Sequence, residues 1–393
     1  MKDKKNSVWM YVAFAAIVLL MAVSCLFVVK TINANKQNFG EKKRTGEEIL
    51  TLWGDDAPAK KQLISYVEAV TKEGGADYIP VENRIAVFDM DGTLCSETNP
   101  TYFDYSLFMY RILEDEDYKG KASDFEKEVA QRIYDNVTGA GPSDGIPTDH
   151  GKCVASSFAG MSVDEFQDYV KAFSEKPAPG YDNMTRGESF YRPMLQVIEY
   201  LEENDFTVYI VSGSDRFIVR GLIKDNDLFD LPMKQLIGSD ESVVASGQNG
   251  EDGLTYQFTD TDKTILGGDF QIKNLKMNKV SVISREIGVQ PVLSFGNTTG
   301  DQSMAEYAIS SNPYRSLAFM VCCDDLEREY GNLEQAQKMY DLCDQYGWIP
   351  ISMKNDWKTI YGDHVIKNSD SKPIPFPIEN LEDDTDAVLD DVA

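Results

Sequence analysis

Short runs rich in apolar residues recur along the chain: Ile85–Phe88, Phe206–Val211, Pro291–Phe295, Leu317–Val321 and Trp348–Ser352. Such runs suit strands buried on both faces of a parallel sheet. Between them, apolar residues return every third or fourth position over Asp215–Lys224, Val280–Ile287, Gln302–Ile309 and Asp325–Tyr346. That spacing predicts amphipathic helices. Strand alternating with helix predicts an α/β fold with a doubly wound, mostly parallel sheet. Ahead of the first strand, Ile49, Leu50, Trp53, Leu63, Ile64, Val67 and Val70 keep helical spacing and predict lead-in helices. Three more helices are expected after the first strand, over Thr101–Glu114, Phe125–Val137 and Val163–Phe173. Turn residues Gly247-Gln248-Asn249-Gly250 and Asp252-Gly253 predict a β-hairpin excursion over 239–270.

A different pattern opens the chain. Val8–Val29 is almost continuously apolar and carries no charge, and Lys30 ends it. Its length matches a bilayer-spanning helix, and no A-x-A cleavage site follows, so an uncleaved signal anchor is expected. The expected location is the cell membrane, crossed once, with the folded domain outside. Thr31–Glu48 reads as a polar stalk and Glu379–Asp391 as an acidic tail.

The chemistry concentrates where the first strand ends. Asp89-Met90-Asp91-Gly92-Thr93 follows Ile85–Phe88 directly. A buried strand there delivers two carboxylates one residue apart, and Gly92 breaks the strand so that they diverge. Paired carboxylates bind hard cations and divide nucleophilic from acid/base work. Later strands also end in polar residues: Ser212-Gly213-Ser214 after Val211, and Gly296-Asn297-Thr298-Thr299-Gly300-Asp301 after Phe295. Lys276 and Lys279 lie between these, and Lys279 opens a helical stretch.

This order resembles the haloacid dehalogenase-like hydrolase superfamily, whose first motif is four apolar residues followed by D-x-D-G-T. The resemblance covers roughly Ile85–Leu326 and is nearest in layout to the phosphoserine and phosphorylcholine phosphatase-like branch. It implies a Rossmann-like core with a helical cap inserted after the first strand, and phosphoryl chemistry that uses Mg²⁺. By that resemblance Asp89 is the nucleophile and Asp91 the general acid/base. Thr93, Ser212 and the Gly213 backbone would hold the phosphoryl group, and Lys279 would offset charge. Asp89, Asp91, Asn297 and Asp301 would form the metal site. The family usually shows G-D-x-x-x-D in the last motif, so Asn297 replaces an acid here and removes one charge. The implied divisions are an anchor over 1–30, a stalk over 31–48, lead-in helices and first strand over 49–97, a cap over 98–187, the remaining core over 188–365 and a tail over 366–393.

Charge narrows the partners. With 38 Lys+Arg against 65 Asp+Glu, the net charge of −27 repels phosphate backbones and excludes nucleic acid as a default partner. The six cysteines form no C-x-x-C, and only His150 and His364 are available for imidazole chemistry, which disfavours zinc. Cys95, within the first motif, reads as a packing residue. Asn297 lies in an N-glycosylation sequon, where a glycan would fill the site, so a eukaryotic secretory origin is disfavoured. The expected partners are the membrane, through the anchor, and a small phosphorylated substrate. Glu97 beside Tyr102, Phe103 and Tyr105 points to a cationic leaving group, of phosphoserine or phosphocholine type. A surface binding protein on a weakened phosphatase fold, or a phosphotransferase, are the alternatives.

Overall fold

The computed structural model describes residues 43–369 and 372–376, and its compact α/β unit begins at Gly46. The apolar run Val8–Val29 and the acidic end Glu379–Asp391 lie outside the described residues. Among the described residues no helix is long and apolar enough to cross a membrane. The membrane location expected from the sequence is corrected on that finding.

The chain enters through α1 (Gly46–Ile49) and α2 (Pro58–Thr71) to β1 (Ile85–Phe88). An insertion follows, with α3 (Phe103–Leu113), α4 (Asp124–Val137), α5 (Ile146–Ser157), α6 (Val163–Ser174) and the two-residue β2 (Tyr181–Asp182). The chain then returns through α7 (Arg192–Glu203), β3 (Thr207–Asp215), α8 (Arg216–Ile223), β4 (Leu236–Ala245) and β5 (Thr264–Ile272). Next come α9 (Met277–Val282), β6 (Leu293–Gly296), α10 (Gln302–Ile309), β7 (Leu317–Cys322), α11 (Leu333–Tyr346) and β8 (Ile349–Ser352). The chain continues through α12 (Met353–Asp356) to β9 (Ile366–Lys367), which pairs with β2.

The main sheet has the order β5-β4-β3-β1-β6-β7-β8. Every neighbouring pair is parallel except β4 with β5. All four residues of β1 are buried, as a central parallel strand requires. Phe88, Phe295 and Phe319 stack across β1, β6 and β7, with centroids 4.2 and 4.9 Å apart. Losing one of these rings would cost about 3–5 kcal/mol. The chain moves to one side of β1 with β3 and to the other with β6. The crevice outside β1 is therefore the switch point where such sheets bind ligands.

Three local departures have physical causes. Helix α5 was not foreseen because His150, Gly151 and Lys152 interrupt its apolar period. Gly151 serves close packing: a Cβ there would stand 2.5 Å from the Phe270 ring on β5. Helix α11 begins at Leu333, not Asp325, because side chains hold the preceding turn. Asp325 accepts from the backbone N–H groups of Glu327 and Arg328, and Arg328 reaches the carbonyls of Met353 and Trp357. The expected hairpin excursion is the sheet edge itself. Its β5 strand exchanges backbone bonds with the α5–α6 turn, through Gly160 to Leu266 and Leu266 to Met161.

Candidate active site

Asp89 leaves β1 with its backbone N–H bonded to the Phe295 carbonyl at 2.9 Å, so β6 fixes where the carboxylate begins. Its Oδ1 lies 2.5 Å from the Lys279 ammonium, which also donates to Asp301 Oδ1 at 2.7 Å. Lys279 is fully buried. Burial alone would push its ammonium down, but Asp301 and Asp89 raise it above its ordinary value. Of the two candidate lysines, Lys279 is thus the one at the site. Lys276 instead opens α9 with φ +54 and bonds through its backbone to Gly300. Burial raises Asp89 to about 7, with Asp301 adding to the rise and Lys279 opposing it.

Asp91 sits differently. Its Oδ2 accepts from the Ser214 hydroxyl at 2.8 Å, and it forms no ion pair among the described residues. Burial, then the charges of Asp104 and Asp89, push it well above the usual carboxylate range. Burial raises both acids, but only Asp89 has an ammonium beside it to oppose the rise. Gly92 between them has φ +79, and a Cβ there would fall 1.8 Å from Asn297 Nδ2 and 2.7 Å from Glu97 Cδ. Both backbone and space demand glycine.

The other expected residues divide. Gly213 lines the cavity, but Ser212 is buried and its hydroxyl accepts from the Ser214 backbone N–H at 3.0 Å. Ser214 is the hydroxyl that reaches Asp91, and its i+2 relation to Ser212 on one strand was the available signal. Thr93 is buried, and its hydroxyl has no hydrogen-bond partner among the described residues. Asp301 keeps both oxygens occupied: Oδ1 by Lys279, and Oδ2 by the backbone N–H groups of Asn297 and Thr298 at 3.1 Å each. It serves as a counter-ion and loop clamp. Cys95 is buried and its thiol is pushed up by burial and nearby acids, so it is not a thiolate nucleophile. His150 is buried under the Tyr105 ring and lowered by burial to about 4, hence neutral.

The carboxylates face a cavity of about 110 Å³. Its floor is Asp89, Asp91, Asn297 and Asp301, and its roof is Tyr102, Asp104 and Tyr105 from the insertion. Glu97 is in its wall, raised by burial to about 7, with hydrogen bonding from Asn297 pulling the other way. Phe103 faces away and packs on Phe173. Asp104 and Lys273 were missed. Asp104 is a carboxylate on the buried face of an otherwise aromatic helix, which was a usable signal; Lys273, just past β5, belongs to no motif.

Among the described residues no group of three or more His, Cys, Asp or Glu side chains stands ready to hold a metal. The donors here are of another kind. Asp89 offers a carboxylate on the cavity. Asn297 packs its amide nitrogen over Gly92, which leaves its carbonyl oxygen as the donor. An all-oxygen set with mixed charge fits magnesium, which keeps several waters and uses few carboxylates.

No family model matches this sequence, and no curated protein does. Solved structures overlap it loosely. A conserved protein of unknown function from Anaerococcus prevotii DSM 20548 is 14% identical, covering 75% of this chain and 91% of its own, with a TM-score of 0.45. A cytosolic 5'-nucleotidase IIIB bound to cytidine is 12% identical, covering 79% and 92%, with a TM-score of 0.45. A phosphoserine phosphohydrolase-like protein from Francisella tularensis subsp. tularensis SCHU S4 is 13% identical, covering 66% and 92%, with a TM-score of 0.34. Overlaps this loose carry no argument about activity.

Proposed function

We propose that this protein is a phosphomonoesterase working through an aspartyl-phosphate. Asp89, held by Lys279, attacks phosphorus in line as the bond to the leaving alcohol breaks. Asp91, kept protonated by burial, gives its proton to the departing oxygen. Water then attacks the aspartyl-phosphate, Asp91 takes the water's proton, and phosphate leaves with Asp89 restored. Lys279 offsets the repulsion between Asp89 and the phosphoryl oxygens. Magnesium, held by Asp89 and Asn297, would add positive charge beside those oxygens. The observation that carries this reading is the divided pair: one acid gripped by a buried ammonium, the next kept neutral, both on one cavity. The test is phosphate release from an aryl phosphate with magnesium, in wild type and Asp89→Asn. Turnover by wild type and its loss in the variant are expected; an equally active, undeamidated Asp89→Asn would overturn the assignment.

The substrate we propose is a small ester whose leaving group carries an ammonium or quaternary ammonium. Its support is the roof. Tyr102 and Tyr105 meet edge to face at 5.2 Å, and Asp104 Oδ1 is buried without a hydrogen-bond partner among the described residues, while its Oδ2 lies 3.9 Å from Lys273. Aromatic faces beside a carboxylate suit a cation, each contact contributing about 0.5–2 kcal/mol. Glu97, expected in this role, turns toward Asn297, so Asp104 is the acid better placed. The comparison is kcat/KM for phosphocholine and phosphoserine against glycerol phosphate, in wild type, Asp104→Asn and Glu97→Gln. Equal turnover of all three esters by wild type would sink the idea.

A further inference from the structure

We propose that the groove around Arg186 is a second binding site, apart from the cavity at Asp89, and that it takes a small carboxylate with an apolar body. Arg186 stands where the insertion returns to the core, in the turn Arg186–Glu188. It is only 8% exposed, and its Nε is buried without a hydrogen-bond partner among the described residues. The guanidinium forms no ion pair among the described residues, and burial alone lowers it, to about 10. Glu188, the nearest acid in sequence, is engaged by Thr185, from whose backbone N–H it accepts at 2.7 Å and from whose hydroxyl at 3.0 Å. The chain carries 65 Asp and Glu residues, yet none among the described residues balances this buried cation.

Packing does not complete the account. Arg186 Cζ lies 4.9 Å from the Phe173 ring centroid and 6.0 Å from that of Phe376. Ring faces attract the charge, but they give no acceptor to an N–H lying in the guanidinium plane. A buried donor left so is costly until a ligand supplies the acceptor. The groove has room for one. Its volume is about 410 Å³, and Arg186 lines it with Pro100, Pro179, Pro375, Tyr134 and Phe376. None of these residues lines the cavity at Asp89. Pro100, Tyr134 and Pro179 come from the insertion, Pro375 and Phe376 from the last described segment of the chain. The ligand's chemistry follows from the wall. A planar guanidinium fork matches a carboxylate and balances one negative charge. A phosphate dianion would keep an unbalanced charge among prolines and rings. The remaining wall is mostly apolar and suits a hydrocarbon or aromatic body.

The test is fluorine NMR of the full chain with para-fluorobenzoate, and with para-fluorobenzamide as its neutral counterpart of the same shape. The acid should bind about 10-fold tighter than the amide, or more, as a hydrogen-bonded charge pair requires. Arg186→Met keeps a stem against Phe173 and removes the charged head, so it should bring the acid down to the affinity of the amide. Ile374→Glu sets a carboxylate on the rim, at a residue 64% exposed, and covers the case in which Arg186→Met does not fold. It should weaken the acid about 10-fold by offering Arg186 a tethered partner. Equal affinity for acid and amide in wild type, or no binding of either, overturns the proposal. So does an acid affinity unchanged in Arg186→Met or in Ile374→Glu. Binding that appears only when Glu379→Gln, Glu382→Gln and Asp383→Asn are combined in the full chain would make the chain's own acidic end the occupant, and overturns it as well.

Discussion

Buried acids gather in two regions of this molecule, and they are treated in opposite ways. Outside β1 and β6, Asp89 and Asp301 share the Lys279 ammonium at 2.5 and 2.7 Å. Where β3 and β4 meet, Asp215, Asp240 and Glu241 come together with no shared ion-pair partner among the described residues. Asp240 is held by Arg216 at 2.6 Å, and Asp215 caps α8 through the backbone N–H of Phe217 at 2.8 Å. Glu241 has neither: both its oxygens are buried without a hydrogen-bond partner among the described residues, and burial pushes it up to about 9. Depth and residue type are alike, yet Asp89 and Asp301 share a buried ammonium, whereas Glu241 meets no ion-pair partner among the described residues and stores a proton. A buried lysine shared by two acids, opening on a cavity, is what distinguishes the proposed reactive centre from the acidic cluster.

The widest gap between the regions should appear in turnover. Asp89→Asn should abolish hydrolysis, whereas Asp215→Asn should leave it within about tenfold, since Asp215 touches no reacting atom. Equal losses would break the contrast. Lys279→Met comes next: it strands two buried carboxylates and should cost about 3–5 kcal/mol of stability as well as most activity. Chemical denaturation would show it, and an unchanged midpoint would mean the ammonium does not bind the pair together.

Glu241→Gln should act in the other direction. The folded pKa of about 9 lies above the ordinary carboxylate value, so the folded state holds the proton more tightly. Stability from this group is full below the unfolded pKa and is lost as pH rises toward about 9. Relative to wild type, Glu241→Gln should therefore gain stability as pH rises from 4 to 8, by on the order of 2–3 kcal/mol at pH 7. Denaturation curves at several pH values would read this; a parallel offset at every pH would count against it. The smallest effect belongs to Ser214→Ala. Its hydrogen bond lowers Asp91, so removing it should raise Asp91 further and move the alkaline limb of the pH–rate profile to higher pH. A limb that stays put would mean another group sets it.

Five of the sheet's seven strands were legible as short runs rich in apolar residues, and Gln302–Ile309 ends as a helix with those bounds. Asp89 and Asp91 were legible because strand ends converge at the switch point, and Lys279 because it opens the helix between the second and last motifs. Less was visible where long-range packing decides. The α5 helix is set by Gly151 against Phe270, and the turn before α11 by Arg328 reaching carbonyls of 353 and 357. Asp104 and Lys273 reach the cavity from the insertion and from β5, which no local spacing brings together. The relation of Glu97 to Asn297 was hidden for the same reason, since 200 residues separate them.

The central claim is that Asp89 becomes covalently phosphorylated. Acid quench of wild type during aryl phosphate turnover, then borohydride trapping and peptide mass spectrometry, addresses it directly. The account predicts a trapped acyl phosphate at Asp89, absent in Asp89→Asn. Rapid turnover with no trapped species, or label on a residue other than Asp89, would contradict it.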